Sequence, residues 1–362
     1  MTGRPLRVLC LSNMWPGPAD PDYGAFVRDM CDALAGRGME VEAAAIDTRA
    51  AGPRRTPAKY ARLLAEGLRA ARWADVVYAH YLFPTGAVAA TIRRRAGVPY
   101  VITAHGGDVR NLNRRAVRRG TEAALSGAAA VIAVSGYLAD ELRASGMRLP
   151  PVHVANMGVD LRRFRIASRV EARTALGLPA DGPLVLGVGG LTQRKDPLTL
   201  LQAFARVRAR HPDARLALVG DGPLAPAVRA GAARLGLAEA VVMPGALPHE
   251  SVPAWFAACD LLSVVSRVEP LGQVALEALA SGRPVVATAV GGTPEVVPPE
   301  AGVVVRPADP PAAADAMLRL LARPPSPEAC RHAAEAHSLD RQAARVAGIL
   351  AGAAGRAETG TP

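Results

Sequence analysis

The chain has 362 residues, of which 50% are hydrophobic and 21% are charged. This length is enough for about two domains with full hydrophobic cores, and the composition excludes a mainly disordered chain. The formal net charge is +11, and the 43 basic residues include only two lysines, Lys59 and Lys195. A basic chain favours acidic partners. Only 4% of the residues are aromatic, however, so side chains on which bases could stack are missing and no nucleic-acid partner is expected.

The cysteines and the N-terminus favour a cytoplasmic protein. The four cysteines show no C-x2-C spacing, which fits a reducing compartment and no zinc site. The apolar run before Ser12 is too short for a signal peptide, and no apolar run reaches membrane-spanning length. Any membrane contact is therefore expected to be peripheral, on the inner face of the plasma membrane.

Strands and helices alternate along the first half of the chain. Apolar segments predict strands at 8–11, 41–46, 76–79, 100–103, 130–134 and 152–155. Helices are predicted between them at 26–37, 57–72, 85–95, 114–126 and 137–145. Short strands that are apolar on both faces, separated by helices of this length, indicate a parallel sheet with both faces covered.

The second half repeats the pattern, with strands predicted at 184–188, 216–219, 241–243, 261–265, 285–287 and 303–305. The fold class expected is α/β, with two Rossmann-like doubly wound domains facing across a cleft. The predicted parts are a first domain at 1–157, a linker without strands at 158–182, a second domain at 183–336, a helix at 337–352 and a flexible tail at 353–362. Ligands bind at the carboxyl ends of the strands in such sheets.

Two strand ends in the first half are candidate ligand-binding positions. Gly24 begins the first helix, where unpaired backbone N–H groups and the helix dipole favour an anion, although an ordinary turn glycine is the alternative. His105 follows the fourth strand in the string His105-Gly-Gly-Asp108. A lone histidine is more often structural, but glycines beside it allow a substrate to come close, and this context favours a functional residue.

The string Val188-Gly-Gly-Leu-Thr-Gln-Arg-Lys-Asp196 follows the first strand of the second half. Its glycines allow the backbone to approach a ligand, and Arg194 and Lys195 supply two positive charges. Phosphate recognition is the natural use of such a pair, with arginine as a fork and lysine as a point charge. A solvated basic loop is the alternative, but a lysine that persists in an arginine-rich chain favours a function.

Glu269 and Glu277 lie eight residues apart in a strand–turn–helix segment. The backbone N–H groups at the helix start form an anion site, because the first four have no partner within the helix. Two carboxylates beside an anion site suit the hydroxyl groups of a sugar or ribose that the anion carries. Two solvated glutamates are the alternative.

The string from Ser266 to Glu277 (SRVEPLGQVALE) resembles the E-x7-E region of retaining, GT-B-fold glycosyltransferases of the family 4 type. The resemblance extends from about residue 6 to 350 and includes Gly158-Val-Asp160 with Phe164, Val219-Gly-Asp-Gly-Pro223 and Gly291-Gly-Thr-Pro-Glu295. The glycine loop near the N-terminus is most similar to the branch that includes teichuronic-acid-type envelope glycosyltransferases.

The resemblance implies a role for the candidates in the Val188–Asp196 string and in the His105–Asp108 string. In the family, an arginine and a lysine of the glycine-rich loop bind the donor diphosphate, and the lysine corresponds to Lys195. The usual arginine position holds Gly190, which leaves Arg194 as the substitute. The family histidine contacts the transferred sugar, a role that falls on His105, with Asp108 as its orienting partner.

The resemblance also implies how the donor is held. Glu269 would bind the sugar hydroxyls and Glu277 the ribose hydroxyls. Further donor contacts are implied at the glycine loop, at the helix start and near the nucleobase, by Gly24, Gly190, Leu271, Gly272, Gln273 and Met243. The partners expected are a nucleotide-sugar donor and an acceptor that is a glycan, a lipid-linked sugar or a small molecule.

The reaction implied is sugar transfer from a nucleoside diphosphate to an acceptor hydroxyl, with retention at the anomeric carbon. Cationic side chains and helix dipoles would stabilise the leaving diphosphate, so neither a metal nor a cofactor is expected. A D-x-D string, Asp20-Pro-Asp22, lies in a proline-rich loop after the first strand. That is the wrong place for the metal site of the other large glycosyltransferase fold.

Other functions stay open at this point. A GT-B-fold nucleotide-sugar epimerase should carry more acid–base carboxylates, and a phosphorylase needs a lysine for a cofactor aldehyde. A non-catalytic nucleotide-sugar-binding protein would bind the same donor without turnover. The arginine runs at 93–95, 114–115 and 118–119 suit an anionic membrane that carries a lipid-linked acceptor, and solvated helix faces are the alternative.

Overall fold

The computed structural model describes residues 4–18, 20, 23–49 and 55–356, which form two compact units. The first unit comprises residues up to Gly158 together with those from Leu339 onward, and the second runs from Val159 to Ser338. Each unit contains a six-stranded sheet whose neighbouring strands pair in parallel. The predicted α/β class with two Rossmann-like domains is confirmed.

The strands of the first unit are β1 (Arg7–Ser12), β2 (Glu40–Ala45), β3 (Val76–His80), β4 (Tyr100–Ala104), β5 (Ala130–Ala133) and β6 (Val152–Val154). Its helices before the chain enters the second unit are α1 (Ala25–Gly36), α2 (Arg55–Ala70), α3 (Thr85–Ala96), α4 (Gly107–Arg110), α5 (Arg115–Leu125) and α6 (Gly136–Ala144). The sheet order is β2-β1-β3-β4-β5-β6. Every residue of β3, β4 and β5 is buried, as expected of strands covered on both faces.

The strands of the second unit are β7 (Leu184–Val188), β8 (Arg215–Val219), β9 (Val241–Gly245), β10 (Leu261–Val264), β11 (Val285–Thr288) and β12 (Gly302–Val305). Its helices are α7 (Arg169–Ala175), α8 (Pro197–Arg210), α9 (Ala225–Arg234), α10 (Val252–Ala258), α11 (Gln273–Ala280), α12 (Thr293–Val296), α13 (Pro310–Ala322) and α14 (Pro327–Glu335). The sheet order is β12-β11-β10-β7-β8-β9. Short 3₁₀ turns lie at Asn111–Asn113, Ala238–Ala240 and His249–Ser251.

Strand order reverses once in each sheet. In the second unit the chain builds outward from β7 through β8 and β9, then returns to the other side of β7 with β10. The loops that leave β7 and β10 therefore diverge at their carboxyl ends, which is where doubly wound sheets bind ligands. Lys195 lies in the first of these loops and Glu269 in the second.

The segment 158–182, expected from the sequence to be a linker, is counted from Val159 onward with the second unit. It contains α7, whose Arg173 is buried. The guanidinium of Arg173 donates to Asp260 Oδ2 at 2.7 Å and to the carbonyl oxygens of Ala180 and Gly182 at 2.8 and 2.9 Å. A buried cation with these partners fixes the segment on the second unit.

The last helix, α15 (Leu339–Ala353), belongs to the first unit, where it packs on α1 and on β3 and β4. Gln342 Oε1 accepts a hydrogen bond from the backbone N–H of Asn156 at 3.2 Å. Within the described ranges, no helix has both the length and the apolar character needed to cross a bilayer. Residues 357–362 of the predicted tail and Asp22 of the D-x-D string lie outside the described residues.

Candidate functional site

Lys195 and Glu269 are in direct contact at the carboxyl ends of β7 and β10. The Lys195 ammonium donates to Glu269 Oε2, and Ser266 Oγ donates to the same oxygen at 3.3 Å. Both side chains are largely buried, with 20% of Lys195 and 11% of Glu269 exposed. An ion pair in this position presents one positive and one negative group to the same space.

The two loops are tied together at two further points. The backbone N–H of Arg267 donates to the carbonyl of Arg194 at 2.8 Å, and Arg267 Nε donates to Asp196 Oδ2 at 2.7 Å. Asp196 has a left-handed backbone (φ 48°) and caps α8 by accepting from the N–H and hydroxyl of Thr199. Lys195 is thus held between two residues of its own loop that both contact Arg267.

Glycines allow neighbouring loops to approach these residues closely. A Cβ at Gly291 would lie 1.8 Å from the carbonyl oxygen of Glu269, and the N–H of Gly292 donates to that oxygen at 3.1 Å. A Cβ at Gly220 would lie 2.1 Å from the carbonyl oxygen of Gly189. The two strings Gly291-Gly and Gly220-Asp-Gly therefore support the backbone of the Glu269 and Lys195 loops.

A cavity of about 30 Å³ lies beside this ion pair, between the ends of β7 and β10. Its polar lining includes Lys195, Ser263 and Ser266. The hydroxyl of Ser263 is buried and has no hydrogen-bond partner in the structure. A space of this size holds a water or a single small group.

Helix α11 begins directly after the Glu269 turn. Its first residue, Gln273, follows Gly272, which takes a left-handed backbone (φ 98°), and Leu271 before it is buried. The N–H groups at this helix start have no partner within the helix and face outward along its axis. The residues predicted from the sequence to form an anion site, Leu271–Gln273, therefore lie at the N-terminus of α11.

Glu277 lies one turn further along α11 and is 6% exposed. Its Oε1 is 3.3 Å from Nε2 of His249, which lies in the turn after β9. The other ring nitrogen of His249, Nδ1, is 3.1 Å from Arg163 Nη1. Sequence reasoning missed both His249 and Arg163, because nothing in a lone histidine 28 residues before Glu277 signals the contact.

The remaining predicted donor residues of the second unit differ in their surroundings. The Arg194 side chain is exposed and forms no hydrogen bond or ion pair with another described residue. Gly190 has room for a side chain, since a Cβ there would lie 3.6 Å from the nearest atom. Met243 is partly buried and packs against the hydrophobic core of the unit.

In the first unit, His105 Nε2 lies 3.1 Å from Nδ1 of His80, a residue that the sequence analysis did not select. His80 is fully buried at the end of β3, and the ring of Phe26 is 5.5 Å from the ring of His105. Burial lowers the pKa of His105 to about 4. Burial, with a contribution from His105, lowers the pKa of His80 as well, so both imidazoles are neutral near pH 7.

Asp108 orients the loop of His105 through its backbone. Its carboxylate accepts from the N–H groups of His105, Gly106 and Val109, and from that of Leu82 after β3, at 2.8–3.1 Å. Burial raises the pKa of Asp108, and these N–H groups oppose the shift. The expected partnership of Asp108 with His105 therefore exists, but it runs through the main chain.

Gly24 stands immediately before α1 with a left-handed backbone (φ 73°). A Cβ there would lie 2.4 Å from the carbonyl oxygen of Met14, so only glycine fits this approach of the two backbones. Asp20, the first residue of the D-x-D string, accepts hydrogen bonds from Arg49. Among the described residues, no group of three or more histidine, cysteine or acidic side chains is placed to hold a metal ion.

Comparison with known proteins identifies the family. The model of Glycosyltransferase Family 4 matches residues 24–163, and that of Glycosyl transferases group 1 matches residues 168–337. D-inositol 3-phosphate glycosyltransferase 1 of Catenulispora acidiphila is 35% identical over 75% of this chain and 69% of its own length. The chain belongs to the family 4 glycosyltransferases. A D-inositol 3-phosphate glycosyltransferase of Acidothermus cellulolyticus is 34% identical over 72% of this chain and 62% of its own length.

Solved structures share the fold of this family 4 glycosyltransferase. Sucrose-phosphate synthase from Thermosynechococcus elongatus has a TM-score of 0.80 at 24% identity, covering 94% of this chain and 97% of that one. HepE from Anabaena, in complex with UDP, has a TM-score of 0.77 at 22% identity, covering 96% and 100%. The GT-B fold predicted from the sequence is confirmed.

Proposed function

We propose that this chain is a retaining glycosyltransferase that moves a sugar from a nucleoside diphosphate to an acceptor hydroxyl without a metal ion. The observation that carries the proposal is the contact between Lys195 and Glu269 where β7 and β10 diverge. It joins a cation suited to a diphosphate with a carboxylate suited to sugar hydroxyls. Glu269 lies in the turn that leads into α11, and the dipole of that helix favours an anion at its N-terminus.

The leaving diphosphate takes up negative charge as the glycosidic bond breaks. An ammonium group has three N–H donors, so Lys195 can contact Glu269 and still donate to phosphate oxygens. The backbone N–H groups at Leu271–Gln273 and the exposed Arg194 add to this stabilisation. Groups already in place for developing charge lower the barrier most effectively, because nothing has to reorganise.

The two acids have separate roles in the proposal. Glu269 binds hydroxyls of the transferred sugar, and Glu277 binds the ribose. The acceptor oxygen attacks the anomeric carbon from the face that the diphosphate leaves, and its proton passes to a phosphate oxygen. Retention then requires no covalent enzyme intermediate, so no side chain has to act as a nucleophile.

The first unit supplies His105, whose neutral imidazole can exchange a hydrogen bond with a sugar hydroxyl. Asp108 fixes the backbone of its loop, and Gly24 offers the N-terminus of α1 to a phosphate or an acceptor. Curated relatives are named for D-inositol 3-phosphate, and HepE has been solved with UDP-glucose. These two compounds are therefore the first acceptor and donor to try.

Nucleotide binding is tested first, by thermal unfolding with UDP, GDP, ADP, CMP and dTDP, with and without EDTA. A ligand at 100 times its Kd adds about 2.7 kcal/mol to the free energy of unfolding, which raises Tm by several degrees. A selective rise that EDTA leaves unchanged supports the proposal. A rise that EDTA abolishes contradicts metal independence, and no rise with any nucleotide contradicts the donor site.

Turnover is tested with nucleoside diphosphate sugars built on the nucleotide that binds. Release of the nucleoside diphosphate together with a glycoside of unchanged anomeric configuration, measured by NMR, supports a retaining transferase. An inverted product contradicts retention. Conversion of the donor to its epimer without an acceptor favours the epimerase, and binding without any turnover favours a non-catalytic binding protein.

Peripheral membrane contact is a further proposal for the acceptor side. The arginines of 93–95 are exposed at the end of α3, and those of 114–115 are exposed at the start of α5. Anionic lipid would attract such groups. Co-sedimentation with anionic but not with neutral vesicles is expected at low salt, and equal partitioning would contradict the proposal.

A further inference from the structure

Glu277 is a buried acid with an incomplete set of partners. Its Oε1 faces His249 Nε2 at 3.3 Å, and within the described ranges no other residue donates a hydrogen bond to this carboxylate. A buried carboxylate is stable only with hydrogen-bond donors around it. One oxygen is therefore held by the protein, and the other is left for a ligand.

The position of the His249 proton follows from its second neighbour. Arg163 Nη1 lies 3.1 Å from Nδ1 of the His249 ring. A guanidinium has donors only, so Nδ1 must accept, and the single proton of the neutral ring is on Nε2. His249 thus donates to Glu277, and Arg163 fixes the tautomer that makes this possible.

Arg163 and the His249 ring are themselves held in place. Asp160 Oδ1 accepts from the backbone N–H groups of Arg162 and Arg163, which forms a tight turn. The next residue, Phe164, is 2% exposed and its ring lies 5.6 Å from that of His249. Asp160 and Phe164, to which the proposed reaction gives no role, therefore support this chain of contacts.

We propose that His249 and Arg163 are positioning residues that direct the free oxygen of Glu277 towards a ribose, so that the enzyme distinguishes ribonucleotides from 2′-deoxyribonucleotides. The inference rests on the proposed function, because it assumes that a nucleoside diphosphate binds beside α11. A carboxylate held by one oxygen presents the other in a fixed direction. Without the Nε2 donor, the Glu277 side chain is free to turn, and the fixed direction is lost.

The test measures Kd by calorimetry for the nucleoside diphosphate that binds the wild-type protein (UDP, GDP or ADP) and for its 2′-deoxy counterpart. The wild-type protein is expected to prefer the ribonucleotide by about tenfold or more, the effect of a hydrogen bond to a charged group. His249→Phe keeps a ring against Phe164 but removes the donor, and should reduce the preference to below about threefold. His249→Gln restores a donor at similar reach and should recover most of it.

His332→Phe is the matched control. His332 and Glu335 form another histidine–glutamate pair, with Nδ1 3.1 Å from Oε2, but on the exposed surface of α14. This variant should keep the wild-type preference. A merely structural role of His249 would change Tm or both affinities equally, whereas the ratio between ribose and deoxyribose changes only if Glu277 is misdirected.

The outcomes separate the inference from the function on which it rests. His249→Phe with native Tm and the wild-type preference overturns the inference alone. If His249→Phe does not fold, Arg163→Met tests the inference instead. Loss of the guanidinium allows the His249 ring to adopt either tautomer, so the preference for the ribonucleotide should fall at least twofold. An unchanged preference in Arg163→Met overturns the inference. A wild-type protein that binds no nucleoside diphosphate overturns both.

Discussion

Lys195 and Glu269 lie 74 residues apart in the chain and share a hydrogen bond at the carboxyl ends of neighbouring strands. Each has a second anchor nearby: the residue after Lys195 contacts Arg267, and the carbonyl of Glu269 accepts from Gly292. The pair is therefore held from both loops before any ligand arrives. Substitutions at the two positions can probe this contact and the proposed diphosphate contact of Lys195.

Lys195→Met should lower the affinity for the nucleoside diphosphate by about 10- to 100-fold, because a hydrogen bond to a charged group contributes about 1.5–3 kcal/mol. It should also lower Tm, since it leaves the carboxylate of Glu269 buried without its cation. Calorimetry and thermal unfolding measure the two effects. The double variant with Glu269→Gln should regain part of the Tm, and a double variant less stable than Lys195→Met would contradict the pairing.

Substitutions at Arg194 and Gly190 test which of the two positions can supply the arginine that binds the diphosphate. Arg194→Ala should raise the KM for the donor about tenfold by removing an exposed cation, with little change in Tm. Adding Gly190→Arg should restore the KM, because the position accepts a side chain without a clash. Arg210→Ala, an exposed arginine at the end of α8, is the control. An Arg194→Ala enzyme with wild-type KM would rule out Arg194 as the substitute.

Asp196 combines a left-handed backbone with a helix cap, so its replacements should follow a definite order of stability. Asn keeps both properties and loses only the charge that faces Arg267. Gly keeps the backbone but loses the cap, and Ala loses the cap and strains the backbone, for a total of about 1–3 kcal/mol. Denaturant unfolding should give wild type, Asn, Gly, Ala in falling order; an Ala variant as stable as Asn would contradict the cap.

Gly291→Ala should disable the enzyme without touching a ligand. The new methyl group would overlap the carbonyl oxygen of Glu269, and the left-handed backbone (φ 57°) adds strain. The Glu269 loop must then move, so kcat/KM should fall by at least about 100-fold, as expected for a displacement near 1 Å. Gly236→Ala is the control, since it has a similar backbone (φ 67°) and open space around it.

Acidification should destabilise the first unit through His105 and His80. The pKa of His105 in the folded protein is about 4, below the value of about 6.5 in an unfolded chain. The unfolded chain therefore binds the proton first, so stability is fully present above about pH 6.5 and falls as the pH approaches about 4. Tm measured between these values should fall less steeply in His105→Gln, and an identical slope would contradict the burial of a neutral imidazole.

The strands could be predicted closely from the sequence, because buried parallel strands read as continuous apolar runs. Predicted β7 coincides with the observed strand Leu184–Val188, and the other strands differ by one or two residues at their ends. The proximity of Lys195 and Glu269 follows from the same pattern, since both lie after strands that meet at the switch in strand order.

Other contacts have no local signal. Arg173 is buried among Asp260 and several carbonyl oxygens, and the arginine-rich segment 158–182 carries no pattern that distinguishes this arginine from exposed ones. His249 contacts Glu277 through the conformation of a turn that the sequence does not specify. The proximity of His80 to His105, in contrast, could be predicted from the sequence. His80 ends β3 beside β4, at the same edge of the sheet as His105.

The last helix gives the chain an inserted topology. Because α15 covers α1 and the strands beside it, the first unit is built from two separated stretches of sequence, and the second is one uninterrupted stretch from Val159 to Ser338. A fragment that ends before Leu339 would leave an apolar face of the first unit bare. The uninterrupted stretch, in contrast, can be expressed as one continuous polypeptide that contains all strands of its own sheet. Nucleotide titration of that fragment would test Lys195, Glu269 and Glu277 apart from the first unit.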